Sequence, residues 1–160
     1  AAQLVGQELL KAHQNRHELD LQLEEKGIDV PVTRVDRYLE QLASDTLRKS
    51  YKNHSFHGEE FGFQEGKGHD ADWCWIIDPL DGTLNFINGV PHFCISIAVQ
   101  HKGITQHGVI YDPVKDELFS ASRGRGAMMN QRRIRVNVKD TLLPPVRRSG
   151  AGAGRGAVRL

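Results

Sequence analysis

The chain has 160 residues, of which 39% are hydrophobic and 26% charged, and its net charge is +1 at pH 7. That length suits one domain with a real core, and no apolar run approaches the roughly 18 residues of a membrane span. Such a mildly charged body does not fit a dedicated nucleic-acid binder.

The first residues, AAQLVGQELLKAHQ, place Leu4, Val5, Leu9, Leu10 and Ala12 at a helical period, as though a helix were already under way at Ala1. No basic-then-apolar leader opens the sequence. In HELDLQLEEKGIDVP, Leu19, Leu21 and Leu23 alternate, which predicts a short strand before a Gly-Pro loop. A second helix is predicted from Thr33, which can cap it, with Asp36 at the acidic capping-box position. Tyr38, Leu39, Leu42, Ala43 and Leu47 mark its apolar stripe.

From Trp73 the pattern turns to β. WCWIID is a nearly all-apolar run, expected of a strand covered on both faces. FCISIAVQHKG, ITQHGVIYDP and DELFSASRG follow, joined by the hairpin-like HKG and DPVKD. The glycines of SRGRGA predict a tight turn between strands, since no helix or GK[ST] follows them. The fold class expected is α+β: two helices packed on an antiparallel β-sheet. Cys74 and Cys94 each lie in an apolar run and read as reduced, structural thiols of a cytoplasmic protein.

Residues 1–143 make up the predicted folded unit. From Pro144 the apolar period stops, and PPVRRSGAGAGRGAVRL holds Arg147, Arg148, Arg155 and Arg159 with no acid. This basic Gly/Arg/Ala-rich tail, 144–160, is expected to be disordered. Its composition reads as a shifted frame or an artificial end, which the nucleotide sequence downstream of the Leu143 codon would reveal.

Three clusters are chemically unusual: Thr33-Arg34-Val35-Asp36, Gly58-Glu59-Glu60, and Asp78-Pro79-Leu80-Asp81-Gly82-Thr83 at the end of the WCWIID run. Two unpaired acids in a low-dielectric spot repel and would protonate. A hard divalent cation removes that problem, and Mg²⁺ takes oxygen ligands, keeps waters and is shared with substrate phosphate. Pro79 and Gly82 are expected to turn the chain sharply so that Asp78 and Asp81 converge with the Leu80 carbonyl. Gly82 and Thr83 would then open a short helix, TLNFI, whose first amides suit a phosphate. Each cluster also has a plainer reading: DPLDGT as an Asp-rich turn, GEE as a solvated pair, and Thr33 to Asp36 as a helix cap. The spacing of His57, His69, Asp70 and Asp72, or of His92 and Cys94, matches no standard zinc pattern.

Taken together, HSFHGEE, WIIDPLDGTLNF, PHFCISIAV and GVIYDPVKDELFSASRGRGA resemble the first half of inositol monophosphatases of a bacterial type, over about Ala1 to Val138. The E-E…D-P-[LI]-D-G-T-x-N-F element is specific to the lithium-inhibited magnesium phosphatase superfamily. The resemblance implies the N-terminal half of a layered αβαβα sugar-phosphatase fold. It implies a Mg²⁺-dependent phosphomonoesterase acting on inositol monophosphate or similar small polyol phosphates. It also implies metal ligation by Glu59, Asp78, Asp81 and the Leu80 carbonyl. Glu59 and Thr83 would orient the attacking water, and Asp36 would hydrogen-bond Thr83. Asp81 and the Gly82 and Thr83 amides would bind substrate. Family members are commonly homodimers. Relatives cleave fructose 1,6-bisphosphate or 3′-phosphoadenosine 5′-phosphate, and bacterial members also partner antitermination factors and RNA polymerase in ribosomal RNA transcription.

The sequence departs from the family in three places. Nothing matches the W-D-x-A-A element of the family's C-terminal half, whose Asp supplies a further metal ligand. The chain is therefore expected to be weakly active or inactive alone, with apolar surface left uncovered. Val30 stands where an Asp is usual, with Asp29 one residue early and Pro31 stiffening the loop. Leu84 replaces a common second Thr.

Overall fold

A computed structural model of the protein describes residues 1–15, 24–26, 30–32 and 34–136, with backbone alone for 24–26 and 30–32. The expected strand at Leu19–Leu23, the Thr33 cap and the 144–160 tail lie outside the described residues.

Two helices form where the apolar period placed them: α1 (Ala2–Gln14) and α2 (Arg34–Arg48). Between them a small hairpin pairs β1 (Glu24–Lys26) with β2 (Val30–Val32). Pro31 is accommodated there because both strands of a two-stranded ribbon are edges, the position where a sheet tolerates a missing N–H.

The remaining strands make one sheet. They are β3 (Ser55–Gly58), β4 (Gly62–Gln64), β5 (Trp73–Asp81), β6 (Cys94–His101), β7 (Ile104–Asp112), β8 (Glu117–Ser122), β9 (Gly126–Met129) and β10 (Arg132–Ile134). Their order across the sheet is β10-β9-β8-β7-β6-β5-β3-β4. The expected antiparallel meander runs from β5 to β10. One pair departs from it: β3 lies parallel to β5, with Gly58 opposite Ile77. A 3-10 turn over Gly68–Asp72 and the edge strand β4 lie in the crossover that parallel pairing requires.

The sheet carries its core on the helix side. Val5 and Leu9 of α1, Leu39 and Ala43 of α2, Phe56, Ile77, Ile95 and Phe86 are all buried in one cluster. Gly6 lets α1 approach closely, since a Cβ there would stand 2.4 Å from Tyr111 Cε1. WCWIID was expected to be covered on both faces, yet Trp73 to Ile76 are half-buried and full burial begins at Ile77. At this end of β5 the flanking strand β3 is short, and Trp73 and Trp75 each stack on His54 instead.

Candidate functional site

Parallel pairing of β3 and β5 brings two chain segments to one sheet edge. Gly58 is level with Ile77, so Glu59, just past the end of β3, and Asp78, still within β5, come next at the same end of the pair. The carboxyl ends of parallel strands are where open sheets place their ligands.

Instead of turning at Pro79, as the sequence suggested, the chain stays extended to Asp81. Asp78 pairs with Ser96 and Asp81 with Cys94, so three steps on β5 match two on β6 and a β-bulge absorbs the extra residue. Pro79 sits in the bulge, where no ladder N–H is missed. The turn comes at Gly82, whose φ of 97° and ψ of 33° are left-handed. A Cβ at Gly82 would also meet the His92 carbonyl oxygen at 3.0 Å. Thr83–Ile87 then forms α3, the short helix expected from TLNFI.

Local bonds fix the acids. The Leu80 N–H donates to Asp78 Oδ1 at 3.2 Å. Burial, then the Glu59 charge, with smaller contributions from Asp81 and Glu40, pushes the Asp78 carboxyl up to about 6, against the pull of that Leu80 bond. Asp81 Oδ2 accepts the Cys94 thiol at 3.7 Å. Burial, and next the Asp81 charge, raises Cys94 to about 11, so the thiol keeps the proton it donates. The two members of GEE diverge: Glu59 is exposed, whereas Glu60 turns inward, with its carboxylate 3.5 Å from Arg37 Nε.

Asp81, Gly82 and Cys94 line a cleft of about 390 Å³, faced by Asp112 and Lys115 of the β7–β8 turn. Burial works to raise Asp112, but the Lys115 ammonium and the Lys115 and Val114 backbone N–H groups outweigh it and hold the carboxyl below its ordinary value. An apolar hollow of similar size, about 400 Å³, lies under α1 between Tyr51, Trp75 and Val109. No carboxylate lines it, whereas Asp81, Asp112 and Glu117 line the cleft.

The Thr83 hydroxyl donates to the Leu80 carbonyl oxygen at 3.0 Å. Asp36 is 5% exposed, in the first turn of α2. The Thr83 bond draws the first turn of α3 back onto the strand end, and the Leu80 oxygen keeps a second lone pair.

Among the described residues, no three His, Cys, Asp or Glu side chains close into a preformed metal cage. Mg²⁺ asks for less: one or two carboxylates, its own waters and substrate phosphate. Glu59, Asp78, Asp81 and the Leu80 carbonyl form an all-oxygen set at one strand end, and Asp78 is raised first by burial and then by the Glu59 charge, both of which a hard cation offsets. These residues fit such an ion.

Sequence reasoning missed Glu40, which is 1% exposed in α2 and accepts the Glu60 N–H at 2.6 Å and the Phe61 N–H at 3.1 Å. A signal was present: Asp36, Glu40 and Ser44 recur every four residues on the buried side of α2, so a polar row runs beside the apolar stripe. It also missed the Cys94–Asp81 bond and the Lys115–Asp112 pair.

Comparison with known proteins gives a consistent picture. The profile described as the inositol monophosphatase family matches residues 1–151, past the Val138 limit of the resemblance read from the motifs. The Nus factor SuhB of Pseudomonas aeruginosa is 53% identical over 122 residues, covering 76% of this chain and 45% of that protein. A crystal structure of extragenic suppressor protein SuhB from Bartonella henselae superposes with a TM-score of 0.79 at 38% identity, over 86% of this chain and 52% of that one. The Thermotoga maritima IMPase superposes with a TM-score of 0.77 at 34% identity, over 88% and 52%. The chain spans about half the length of the curated relatives it matches.

Proposed function

Because the chain belongs to the inositol monophosphatase family, we propose that it provides the metal- and phosphate-binding part of a Mg²⁺-dependent phosphomonoesterase for inositol monophosphate or a similar small polyol phosphate. The observation that carries this reading is Asp78, a carboxyl held at about 6 by burial and by the charges of Glu59, Asp81 and Glu40 at the end of one strand. Two segments of different sequence origin converge there only through the β3–β5 pairing.

In this reading Glu59, Asp78, Asp81 and the Leu80 carbonyl hold Mg²⁺. When bound, the ion offsets charge on the phosphoryl oxygens and makes water a better nucleophile. The protein's own groups orient. Glu59, exposed at the sheet end, accepts a proton from the attacking water. Thr83, tied to Leu80, holds the first turn of α3 so that the Gly82 and Thr83 amides face a phosphate. Asp81 stands in the cleft, within reach of a polyol hydroxyl. Cys74 and Cys94 are both free thiols, in keeping with a reducing, cytoplasmic setting.

Calorimetric titration of the chain with Mg²⁺ at pH 7.5 tests the proposal. We expect saturable uptake that is lost in Asp78→Asn and Asp81→Asn. No uptake by the native chain at millimolar Mg²⁺ would refute the reading.

A second reading is favoured by the name Nus factor borne by the 53% identical relative: a non-catalytic partner in transcription antitermination. The two readings separate at Asp81. Asp81→Asn in a protein of the relatives' full length abolishes hydrolysis; if pull-down of transcription antitermination factors survives unchanged, the partner role is independent of the cleft, and if it too is lost, a separate binding role is excluded.

A further inference from the structure

Glu40 is an ionisable group outside the cleft that the proposed chemistry leaves without a role. Glu40 is a carboxylate with 1% of its surface exposed, on a helix otherwise packed by Leu39, Ala43 and Leu47. A buried charge of this kind needs bonded partners. Among the described residues its hydrogen-bond partners lie in one short turn: Oε2 accepts the Glu60 N–H at 2.6 Å and Oε1 accepts the Phe61 N–H at 3.1 Å. The turn also presses onto it from below. A Cβ on Gly58 would fall 1.7 Å from Glu40 Oε1, so only glycine lets the strand end come this close. Glu59 stands between Gly58 and Glu60, with the clamp on both sides of it.

We infer that Glu40 is a positioning residue for the cation site, a buried carboxylate that grips the turn after β3 and thereby sets where the Glu59 carboxylate stands relative to Asp78. The inference rests on the magnesium reading and deepens it. Two features separate this role from plain core packing. The bonds run to backbone N–H groups of the turn rather than to the core, and both are charge-assisted, the strong and directional kind. The Glu40 charge is also felt at Asp78, so the clamp and the cation ligands share one electrostatic neighbourhood. Glutamine at this position keeps the shape but turns an NH₂ toward one of two N–H donors, so one grip is lost. Aspartate is one carbon too short to reach the turn from α2.

The test uses the full chain, with Mn²⁺ as a paramagnetic probe of the cation site read by EPR, and hydrogen exchange of the Glu60 and Phe61 amides read by NMR. Glu40→Gln is expected to weaken Mn²⁺ binding by about tenfold, the usual scale for losing an outer support of a metal ligand, and to speed exchange at those two amides. Leu39→Ala, a core variant one residue away, controls for lost stability. It should lower the urea midpoint yet leave Mn²⁺ affinity within about twofold. Gly58→Ala, which pushes on the clamp from the other side and leaves Glu40 intact, should weaken Mn²⁺ as Glu40→Gln does. The inference is overturned if Glu40→Gln binds Mn²⁺ as tightly as the native chain, or if Leu39→Ala weakens it equally. Should the native chain take up no Mn²⁺, the magnesium reading fails and the clamp stands on exchange alone. Unchanged exchange at Glu60 and Phe61 then overturns the clamp as well.

Discussion

Asp78 is half-buried beside three other carboxylates, and its folded value of about 6 lies above the ordinary 3.8. The folded chain therefore binds a proton that the unfolded chain has released, over the range between those values. Stability from this group is fully present below about pH 4 and is lost as pH rises through about 6. A shift of that size is worth at most about 3 kcal/mol, and solvent screening of a partly exposed group brings the expected effect to about 1–2 kcal/mol. In EDTA, Asp78→Asn should be more stable than the native chain by about that amount at pH 7 and nearly equal to it at about pH 3.5. Urea unfolding at the two pH values measures the difference. Added Mg²⁺ at pH 7 should reverse the ranking, because only the native chain gains a ligand. An Asn variant with the same advantage at both pH values would mean that Asp78 carries no raised carboxyl. Glu40 belongs to the same neighbourhood but left a weaker trace in the sequence. A lone acid among helix positions reads as solvated unless its row is followed every fourth residue inward, past Asp36 to Ser44.

At the scale of elements, the hinge between β5 and α3 is Gly82. Its left-handed backbone costs a side chain about 1–2 kcal/mol, and the His92 carbonyl at 3.0 Å adds crowding. Gly124, in the β8–β9 turn, has a φ of 74° but nothing within 4 Å. Thermal unfolding should thus show Gly82→Ala losing more than Gly124→Ala, with about 1 kcal/mol lost by the latter from strain alone. Equal losses would mean that the α3 hinge gives way freely. The elements that the sequence made legible are those with local signals. The helical stripes predicted α1 and α2, and HKG predicted a turn in which Lys102 and Gly103 take φ of 51° and 77°. DPVKD closes as expected, with Asp112 Oδ1 accepting the Val114 and Lys115 N–H groups. The strands β3, β4, β9 and β10 are three or four residues long, too short for a period to show. The parallel pairing of β3 with β5 is a long-range choice, and it brings Glu59 to Asp78. The motif named the acids; only tertiary pairing gave them a common place.

For the whole molecule, one continuous core ties every layer together. Leu9 of α1, Leu39 of α2, Phe86 of α3 and Ile77, Ile95 and Ile97 of the sheet bury one another on the helix side. The other side of the sheet differs. Ala98, Gly108, Ala121 and Ala127 stand opposite one another across β6, β7, β8 and β9, a row of small residues, and Ile110 beside it is 46% exposed. The two faces should therefore answer differently to truncation. Leu9, with no exposed surface, has no room to relax, so Leu9→Ala is expected to cost about 2–5 kcal/mol. Ile110→Ala on the open face should cost under about 1 kcal/mol. Because the core is continuous, unfolding followed by far-UV CD and by the fluorescence of Trp73 and Trp75, both in β5, should give one midpoint, and Leu9→Ala should move both probes together. Separate midpoints would break the helices from the sheet as folding units. An Ile110→Ala loss as large as that of Leu9→Ala would show that the small-residue face is covered in solution, and the stability of the chain would then depend on more than its helix side.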